Sequence, residues 1–172
     1  MLKINDCVIY GSQGVCQVED IRKIKFHSDP CAREYYVLKP VWAENSIVYI
    51  PTENRILTEK IRPVLTPEEV DQVILSVKDQ SMEWIADRKL RSARFQEILS
   101  KHDEHDLLLM AGCLYWRARE NPKKLSFSDE KVLKTAEKII EQEFSFSLRI
   151  GAQSVGDYIR QKLGIPEETG TA

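Results

Sequence analysis

The first third of the chain is patterned as short β-strands. Between Lys3 and about Val64, β-branched and aromatic residues recur in short runs, namely CVIYG, GVCQVEDIRKIKF, EYYVLKPVW and SIVYIP. The segments between them, GSQG, HSDP and AENS, have the composition of turns, and YGSQG reads as a hairpin turn. The pattern predicts a small antiparallel sheet, a barrel of about four to six strands.

The pattern changes to that of helices at Thr66. The segment TPEEV supplies Thr66 as an N-cap, proline at the first helical position and Glu69 three residues on. This is a capping box, because each of the two side chains can accept a hydrogen bond from the other residue's backbone N–H. A helix is therefore predicted from this point to about Val77.

Four more helices are predicted after the first. The second of the five covers about 87–101, and the third, about 104–120, ends before Pro122 because proline disfavours a helical residue in front of it. The fourth opens at LSFSDEK and runs for about twenty residues, with Gly164 as the C-terminal cap of a short last helix, SVGDYIRQKLG. The apolar stripe of the fourth helix comprises Val132, Leu133, Ala136, Ile139, Ile140 and Phe144.

These two patterns predict an α+β fold with an N-terminal antiparallel β-barrel followed by an all-α domain of about five helices. The expected boundaries are a β domain at 1–65, a helical domain at 66–165 and a flexible tail at 166–172. A composition of 42% apolar and 30% charged residues is that of a globular protein and not of a disordered one.

The total charge excludes a protein that coats nucleic acid through bulk electrostatics. The net charge is −2 and the pI about 6.0. Residues 1–65 carry nine cations and eight anions, and residues 66–172 carry sixteen and nineteen, so neither half is polarised. The segment 88–94 stands out with four cations and no anion, and any contact with nucleic acid depends on such a local patch.

Cysteine usage and hydropathy predict a soluble protein of a reducing cytoplasm. The four cysteines form no C-x-x-C pair, and three of them lie in apolar or β-patterned surroundings where a reduced thiol packs as a small hydrophobe. The N-terminus lacks the features of a signal peptide, and the longest apolar run, LLLMAGCLYW, is about half the length of a membrane span. We expect no contact with a membrane.

Candidate catalytic residues do not emerge from the sequence. His102 and His105 stand three apart among the acids of KHDEHDLL, which is compatible with a metal site, but capping acids at a turn between two helices explain the same pattern. No partner for a nucleophilic thiol and no general acid and base pair can be nominated. We predict no enzyme, no catalytic residue, no metal and no cofactor.

The segment SMEWIADRKLRSARF places Trp84 just before the cations. On a helical wheel, Arg88 and Arg91 lie one to two turns ahead of the core-facing stripe and on the same face, so the first turns of the helix are expected to project beyond the core. There an exposed indole can stack on a base or sugar while cations hold phosphates. The alternative is that Trp84 caps the helical core and the cations are solvated. The stripe comprises Phe95, Ile98 and Leu99.

The two other tryptophans serve as a comparison. Trp116 follows Leu109 and Cys113 at i−7 and i−3, which is the spacing of a core-facing position, so it is predicted to be buried. Trp42 stands at a hairpin end, and its environment stays open.

The order of segments resembles the CarD/CdnL family of bacterial transcription regulators, whose N-terminal module is similar to the polymerase-interacting module of transcription-repair coupling factor. The resemblance covers about 3–163. In the first module it is carried by NDCVIYGSQGV, EYYVLKP and VYIPTENRI, and in the second by Trp84 with its basic followers, LYWRARE and LSFSDEKVLKTAEKII.

This resemblance implies a Tudor-like or SH3-like barrel that docks on the β subunit of RNA polymerase and a helical domain that contacts promoter DNA. In the family a tryptophan wedges at the upstream edge of the melted bubble and favours the open complex, and Trp84 matches that position. Here the residues IAD, including Asp87, stand between the tryptophan and the cations, so which cation contacts phosphate stays open. The implied DNA-binding residues are Trp84, Arg88, Lys89, Arg91 and Arg94.

Docking on polymerase is expected to use the strand SIVYI, because an exposed edge strand can pair with a strand of a partner. Pro51 ends this strand or places it at an edge, since it cannot donate a ladder hydrogen bond. Tethering then allows a weakly basic DNA-binding module. The implied polymerase-binding residues are Arg22, Lys25, Ile47, Tyr49 and Pro51.

The expected partners are thus RNA polymerase and promoter DNA, bound weakly and without sequence specificity. The alternative is a polymerase-bound adaptor that contacts proteins and no DNA. A monomer is expected, with a dimer through the exposed edge of the β domain as the other state. The predicted location is cytoplasmic, on the nucleoid through RNA polymerase.

Overall fold

The computed structural model describes residues 1–28, 30–121 and 125–166. The chain divides into two compact units, Met1–Val64 and Leu65–Ala172. Apart from Pro166, the predicted tail lies outside the described residues. No helix in the described part of the chain is both long enough and apolar enough to cross a bilayer.

The first unit is a five-stranded antiparallel sheet, as predicted. The strands are arranged in the order β4-β3-β2-β1-β5, so β4 and β5 are its two ends. The strand β5 and the four-residue helix α1 were not predicted, because three or four residues are too few to display a periodicity. The bounds are β1 Cys7–Tyr10, β2 Val15–Ile24, β3 Arg33–Pro40, β4 Val48–Pro51, α1 Arg55–Thr58 and β5 Ile61–Pro63.

The turn between β1 and β2 is the predicted hairpin at YGSQG. A single 3₁₀ turn covers Gly11–Gln13, and the backbone N–H of Tyr10 donates to the carbonyl of Gly14 at 3.0 Å. Gly14 has φ +68°, a conformation that glycine adopts at little cost. This hairpin sets the register of β1 on β2, in which Val8 pairs with Cys16.

The central strand β3 is buried on both faces over residues 35–38. On one face Tyr36 and Leu38 pack in the core of the sheet, and on the other lie Tyr35 and Val37. Burial of both faces explains why EYYVLKP reads as a continuous apolar run and not as an alternating one. The core of the sheet comprises Val8, Cys16, Val18, Tyr36, Leu38 and Ile50.

Over its described residues, 65–121 and 125–166, the second unit contains five α-helices, which confirms the predicted all-α domain. The capping box is present, since the Thr66 hydroxyl accepts from the backbone of Glu69 and the Glu69 carboxylate accepts from that of Thr66. Gly164 has φ +70° and caps the last helix, also as predicted. The bounds are α2 Pro67–Ser76, α3 Arg88–Lys101, α4 Glu104–Glu120, α5 Phe127–Leu148 and α6 Val155–Leu163.

The helical core is built mainly by α4 and α5. The predicted stripe of α5 is confirmed, because Val132, Ala136, Ile140 and Phe144 are buried there. Several hydrogen bonds hold α2 and the segment before it against the other helices, among them one from the hydroxyl of Ser147 to the carbonyl of Leu65. The backbone N–H of Leu65 donates to Glu143 at 3.1 Å. At α2 itself, Asp71 accepts from Tyr158 and from Lys162, both on α6.

Candidate functional site

The strand β4 forms an edge of the sheet. It pairs with β3, and within the described residues it has no second strand neighbour. Tyr49 is exposed and Ile50 is buried, as the alternation of a strand demands, while Pro51 is the last residue of the strand. The prediction that Pro51 marks an edge is therefore confirmed, and Ile47, just before the strand, is exposed as well.

A cluster of three aromatic side chains, Phe26, Tyr35 and Tyr49, packs at this edge. The ring of Phe26 contacts Tyr35 at 5.3 Å and Tyr49 at 5.5 Å between centroids, in both cases edge to face. Such pairs add about 0.5–1.5 kcal/mol beyond the burial of their area. Phe26 and Tyr49 thereby cover Tyr35 while their own rings stay partly in solvent. Phe26, the last residue of the predicted run GVCQVEDIRKIKF, was not among the predicted site residues, because its contacts with Tyr35 and Tyr49 lie across the sheet and not along one strand.

The two cations predicted to face polymerase lie on β2 and just after it. Arg22 is opposite Tyr35, and Tyr35 is opposite Pro51, so these three residues form one row across β2, β3 and β4. The guanidinium Nε of Arg22 lies 3.5 Å from a carboxylate oxygen of Asp20, and its side chain remains largely exposed. Lys25 is exposed.

Trp42 is exposed beside Val41 at the end of β3. Its environment was left open by the sequence, and the structure places it on the surface. The sequence does contain a signal for this exposure, because Trp42 stands in the turn between two predicted strands. Side chains in such a turn lie beyond the end of the sheet and are not covered by its core. Trp42, Val41 and Ile47 are thus three exposed apolar residues that precede the edge strand.

Trp84 lies in the segment before α3 and packs against the helical core with part of its surface. Two guanidinium groups lie over its ring, with the Cζ atom of Arg91 4.4 Å and that of Arg117 5.0 Å from the centroid. Both distances are within the range of cation–π interaction. These contacts hold the indole in one orientation. Part of its surface packs against the helical core, as one hypothesis on Trp84 predicted, and part remains exposed, as contact with DNA requires.

Arg91 is buried, with 7% of its surface exposed. Its Nε and Nη2 donate to the two carboxylate oxygens of Asp129 at 3.2 and 3.1 Å, and its Nη1 donates to the carbonyls of Ile85 and Ala86. The prediction that the first turns of this helix project beyond the core is therefore wrong at Arg91. The helical wheel contained no partner for the cation, and Asp129, 38 positions away, supplies one.

The other predicted cations lie toward solvent. Arg88 and Lys89 are exposed, and neither forms an ion pair within the described part of the chain. The Nη1 atom of Arg94 lies 2.9 Å from the Oε2 atom of Glu97, and the other carboxylate oxygen of Glu97 binds Lys101. The hydrogen bonds from Lys101, and then from Arg94, hold the pKa of the Glu97 carboxyl below its ordinary value.

Asp87, the anion that separates the tryptophan from the cations, is the N-cap of α3. Its carboxylate accepts from the backbone N–H of Leu90 at 2.9 Å. An acidic residue at this position stabilises the first turn and its orphan N–H groups. The residues IAD are thus the entry to the helix, and Arg91 binds two of their carbonyls.

Trp116 is 63% exposed, so the prediction that it belongs to the core is wrong. The buried residues of α4 form a stripe that ends at Leu114. At 100° per residue, Trp116 lies about 200° around the helix from Leu114. Leu109 and Cys113, which suggested core spacing, are themselves half-buried positions at the side of that stripe.

The acids around the two histidines form the predicted turn between helices. His102 ends α3 in the left-handed conformation, and Asp103 caps α4 by accepting from the backbone of Asp106 at 3.0 Å. Ligand atoms of Asp103, His105 and Asp106 lie within 4.8 Å of one another, and His102 is not part of that group. Capping explains Asp103 without a metal ion.

The thiols are free. Burial raises the pKa of Cys16 to about 11. It also raises the pKa of Cys7, with Asp6 adding to the effect, and that of Cys113, where Arg117 opposes it. Cys31 is exposed. Three thiols are thus kept in their protonated form, as expected for packing groups and not for nucleophiles.

Comparison with known protein families gives a match for the first unit. A family model described as the CarD-like/TRCF RID domain matches residues 2–65, which contain all five strands. No curated protein matches the chain. RID denotes an RNA-polymerase-interacting domain, and domains of this family are not enzymatic. Residues 2–65, which form the sheet with its exposed β4 edge, therefore match a CarD-like/TRCF RNA-polymerase-interacting domain.

Proposed function

We propose that this chain is a non-enzymatic transcription regulator. It docks on the β subunit of RNA polymerase through its first unit and contacts promoter DNA at the upstream edge of the bubble through its second, which stabilises the open complex. The observation that carries the proposal is the match of residues 2–65 to the RNA-polymerase-interacting domain.

The edge strand β4 is the proposed docking element. Addition of a strand from the partner uses main-chain hydrogen bonds for affinity and side chains of alternate residues for specificity. Exposed Ile47 and Tyr49 supply the apolar contacts, and Arg22, in the same row as Pro51, supplies a charge at the side of the interface. Lys25 provides a second exposed cation beyond the end of β2.

Trp84, Arg88 and Lys89 are the proposed DNA contacts. The indole is part exposed and oriented by Arg91, while the two exposed cations stand at the start of α3, four and five residues after the tryptophan. Arg94 adds a partly exposed cation that already binds Glu97. Arg91 serves to position the indole, because its guanidinium is fully engaged inside the unit.

A net charge of −2 is compatible with this function because the DNA-binding unit is tethered. Insertion of an apolar side chain between base steps costs a few kcal/mol of unstacking in duplex DNA, and at the edge of a bubble melting has already met most of that cost. A protein that binds the melted form better than the closed form shifts the equilibrium by that difference in affinity.

Binding to polymerase is tested with Ile47→Asp. A charge at an exposed position beside the edge strand opposes strand addition, so we expect the Kd for the isolated β subunit to rise at least about tenfold. The matched control is Ile4→Asp, which alters an equally exposed isoleucine in the segment before β1. Equal affinity of Ile47→Asp and wild type would remove β4 from the proposal, and equal thermal stability of both variants establishes that folding is intact.

Contact with DNA is tested by the lifetime of the open complex at equal occupancy of polymerase. Trp84→Ala is expected to shorten it, and Leu75→Ala, an exposed apolar residue of α2, is expected to leave it unchanged. A surface variant that does not disturb packing, Arg88→Gln with Lys89→Gln, should reduce the salt dependence of binding to promoter DNA. Its control is Lys131→Gln with Lys134→Gln on α5. Unchanged lifetimes in both test variants would refute the DNA contact.

The adaptor without DNA contact is the second candidate. It is favoured by the burial of Arg91, which leaves fewer cations for phosphate than the segment 88–94 suggests. Photo-crosslinking from position 89 in the polymerase–promoter complex separates the two functions. Crosslinks to promoter DNA support the regulator, and crosslinks to protein alone support the adaptor.

A further inference from the structure

The helical unit contains an apolar groove between α4, α5 and α6 that the proposed function does not use. Its volume is about 420 Å³. This is within the range of about 300–1,000 Å³ typical of binding sites, which are mostly apolar with few polar groups. The floor and walls include Leu108, Ala111, Ile140, Ile159 and Leu163.

A glycine in the middle of α4 keeps this groove open. Gly112 lies within a helix of 17 residues, where glycine costs about 0.5–1 kcal/mol relative to alanine. Outside the adjacent backbone of its own helix, a Cβ atom at Gly112 would meet no atom of the described residues within 4 Å, so no contact among them requires a glycine there. A glycine that faces open space in a groove permits close approach of another group to the backbone.

Two aromatic side chains stand at the rim on the same helix. Trp116 is 63% exposed and Tyr115 47% exposed, and both line the groove. Together with Gly112 they present apolar surface that the described residues of the unit leave uncovered. Aromatic side chains around a small-residue contact are typical of the buried centre of an interface between proteins.

The opposite wall carries negative charge. Glu137 and Glu141 lie one turn apart on α5 and both line the groove, and Glu137 accepts a hydrogen bond from the hydroxyl of Tyr115. Burial raises the pKa of the Glu137 carboxyl, and the charge of Glu141 raises it further. A cation placed between these carboxylates would stabilise their charged forms and so lower the pKa of Glu137 again. Two arginines, Arg119 and Arg160, also line the groove, and Arg160 binds Asp157.

We propose that this groove binds an amphipathic helix of a partner protein, with apolar anchors on the groove floor beside Gly112 and Trp116 and an arginine or lysine at Glu137 and Glu141. Helices dock in apolar grooves through side chains spaced at i, i+3 or i+4 and i+7. In a second copy of this chain the exposed aromatic residues of α4, Tyr115 and Trp116, belong to the groove itself. In the described part of the chain α2, α3 and α5 expose only the single large apolar residues Leu75, Leu90 and Phe127.

The probe for this site is a synthetic helical peptide of about 18 residues without tryptophan, with leucines at i, i+4, i+7 and i+11 and arginines flanking that stripe. Its binding is followed by the fluorescence anisotropy of a dye on the peptide and by the three indole N–H resonances of the protein. We expect saturable binding in which the resonance of Trp116 shifts and that of Trp42 does not. Absence of saturable binding would overturn the proposal.

Gly112→Leu tests the position. Leucine favours the helix and its side chain would occupy the groove, so we expect the affinity for the peptide to fall at least about tenfold. The matched control is Ala118→Leu, an exposed position of the same helix that does not line the groove. A second variant, Trp116→Ala, truncates an exposed side chain and should also weaken binding. Wild-type affinity of both Gly112→Leu and Trp116→Ala would place the peptide elsewhere and overturn the proposal.

The charge of the partner is tested with Glu137→Gln combined with Glu141→Gln. This double variant should lose affinity for the arginine peptide and bind a version with glutamines in place of arginine as the wild type does. Equal affinity of wild type for the arginine and glutamine peptides would overturn the assignment of a basic partner. Concentration-dependent self-association of the free protein that Gly112→Leu abolishes would assign the groove to a second copy and overturn the proposal of a partner helix.

Discussion

The guanidinium of Arg91 and the carboxylate of Asp129 face each other in two parallel hydrogen bonds, Nε to Oδ1 at 3.2 Å and Nη2 to Oδ2 at 3.1 Å, inside the helical unit. The same guanidinium lies 4.4 Å from the centroid of Trp84 and binds two carbonyls of the segment that leads into α3. One buried cation thus joins α3, α5 and the indole, and the orientation of Trp84 depends on it.

Asp129→Ala is expected to destabilise the protein strongly. Removing one partner of a buried ion pair leaves an uncompensated charge and costs about 3–5 kcal/mol in the free energy of unfolding. Urea denaturation followed by far-UV circular dichroism measures this value. Replacing both partners, as Arg91→Met with Asp129→Leu, leaves no unpaired charge and should cost less than Asp129→Ala alone.

The double replacement also tests the link to Trp84. In Arg91→Met with Asp129→Leu the indole loses one of the two guanidinium groups over its ring, so its fluorescence should change while the unit stays folded. The variant Lys101→Met, which removes a surface ion pair with Glu97, is the control and should change stability by less than about 1 kcal/mol. If Asp129→Ala were as mild as Lys101→Met, the ion pair would not be the buried one described here.

The contact of Asp71 with Tyr158 and Lys162 predicts a pH dependence of stability. The hydrogen bond from Lys162, and then that from Tyr158, holds the pKa of the Asp71 carboxyl below its ordinary value. A carboxyl with a lowered pKa in the folded state stabilises above the pKa of the unfolded chain, and that contribution is lost as the pH falls through the folded pKa. The melting temperature should therefore fall below about pH 4 less steeply in Asp71→Asn than in wild type.

At alkaline pH the same contact gives stability the opposite dependence on pH, because here Lys162 is the group that titrates. Asp71 raises the pKa of Lys162, so the contribution of this amine is complete below the ordinary pKa of lysine and is lost as the pH rises through the folded value. Lys162→Met should show a smaller loss of stability than wild type above about pH 10. A melting temperature of Asp71→Asn that parallels wild type over both ranges would contradict the role of this contact.

Gly112→Ala is expected to stabilise the helical unit by about 0.5–1 kcal/mol, because the helix gains propensity and the new methyl group meets no atom within 4 Å. Gly164→Ala should do the reverse, since φ +70° at the helix end is strained for any residue with a Cβ. Thermal denaturation of both variants measures the difference. A loss of stability in Gly112→Ala would mean that the groove is occupied by the chain itself.

The thiols should differ widely in reactivity. Exposed Cys31 is expected to react with a disulfide reagent at pH 8 on mixing, and Cys16 to react only on unfolding, because burial raises its pKa to about 11 and shields it from the reagent. Mass spectrometry of the native protein after brief labelling identifies the modified residue. The variant Cys31→Ser should lose the fast phase. Fast labelling of Cys16 would show that the sheet opens locally.

The helices were predictable because the signals that define them are local. Thr66 with Glu69 begins α2 and Gly164 ends α6, and each of these signals spans at most four residues. The stripe of α5 was predictable for the same reason, since burial at every third or fourth residue is a property of one helix. The edge at Pro51 followed from a missing N–H donor in a single residue.

The surroundings of the tryptophans were not predictable from local pattern. The spacing of Trp116 from Cys113 matches a core stripe, yet the stripe that α4 buries ends at Leu114, and this depends on where α5 and α6 lie. Arg91 could not be placed correctly for the same reason. A cation on the apolar face of a helix was expected to be exposed, and only the folded structure shows that Asp129 pairs with it. A helical wheel describes one helix and contains no information on what packs against it.

The sequence by itself determined the order of the longer strands and helices, the caps of α2 and α6 and the resemblance of its first unit to an RNA-polymerase-interacting domain, because these depend on residues close together in the chain. Tertiary structure alone decided which side chains are available. It buried the cation Arg91 against Asp129, oriented Trp84 between two guanidinium groups, and left Trp116 and Gly112 on an open groove. Burial and pairing are relations between residues far apart in sequence, and the periodicity of one element does not contain them.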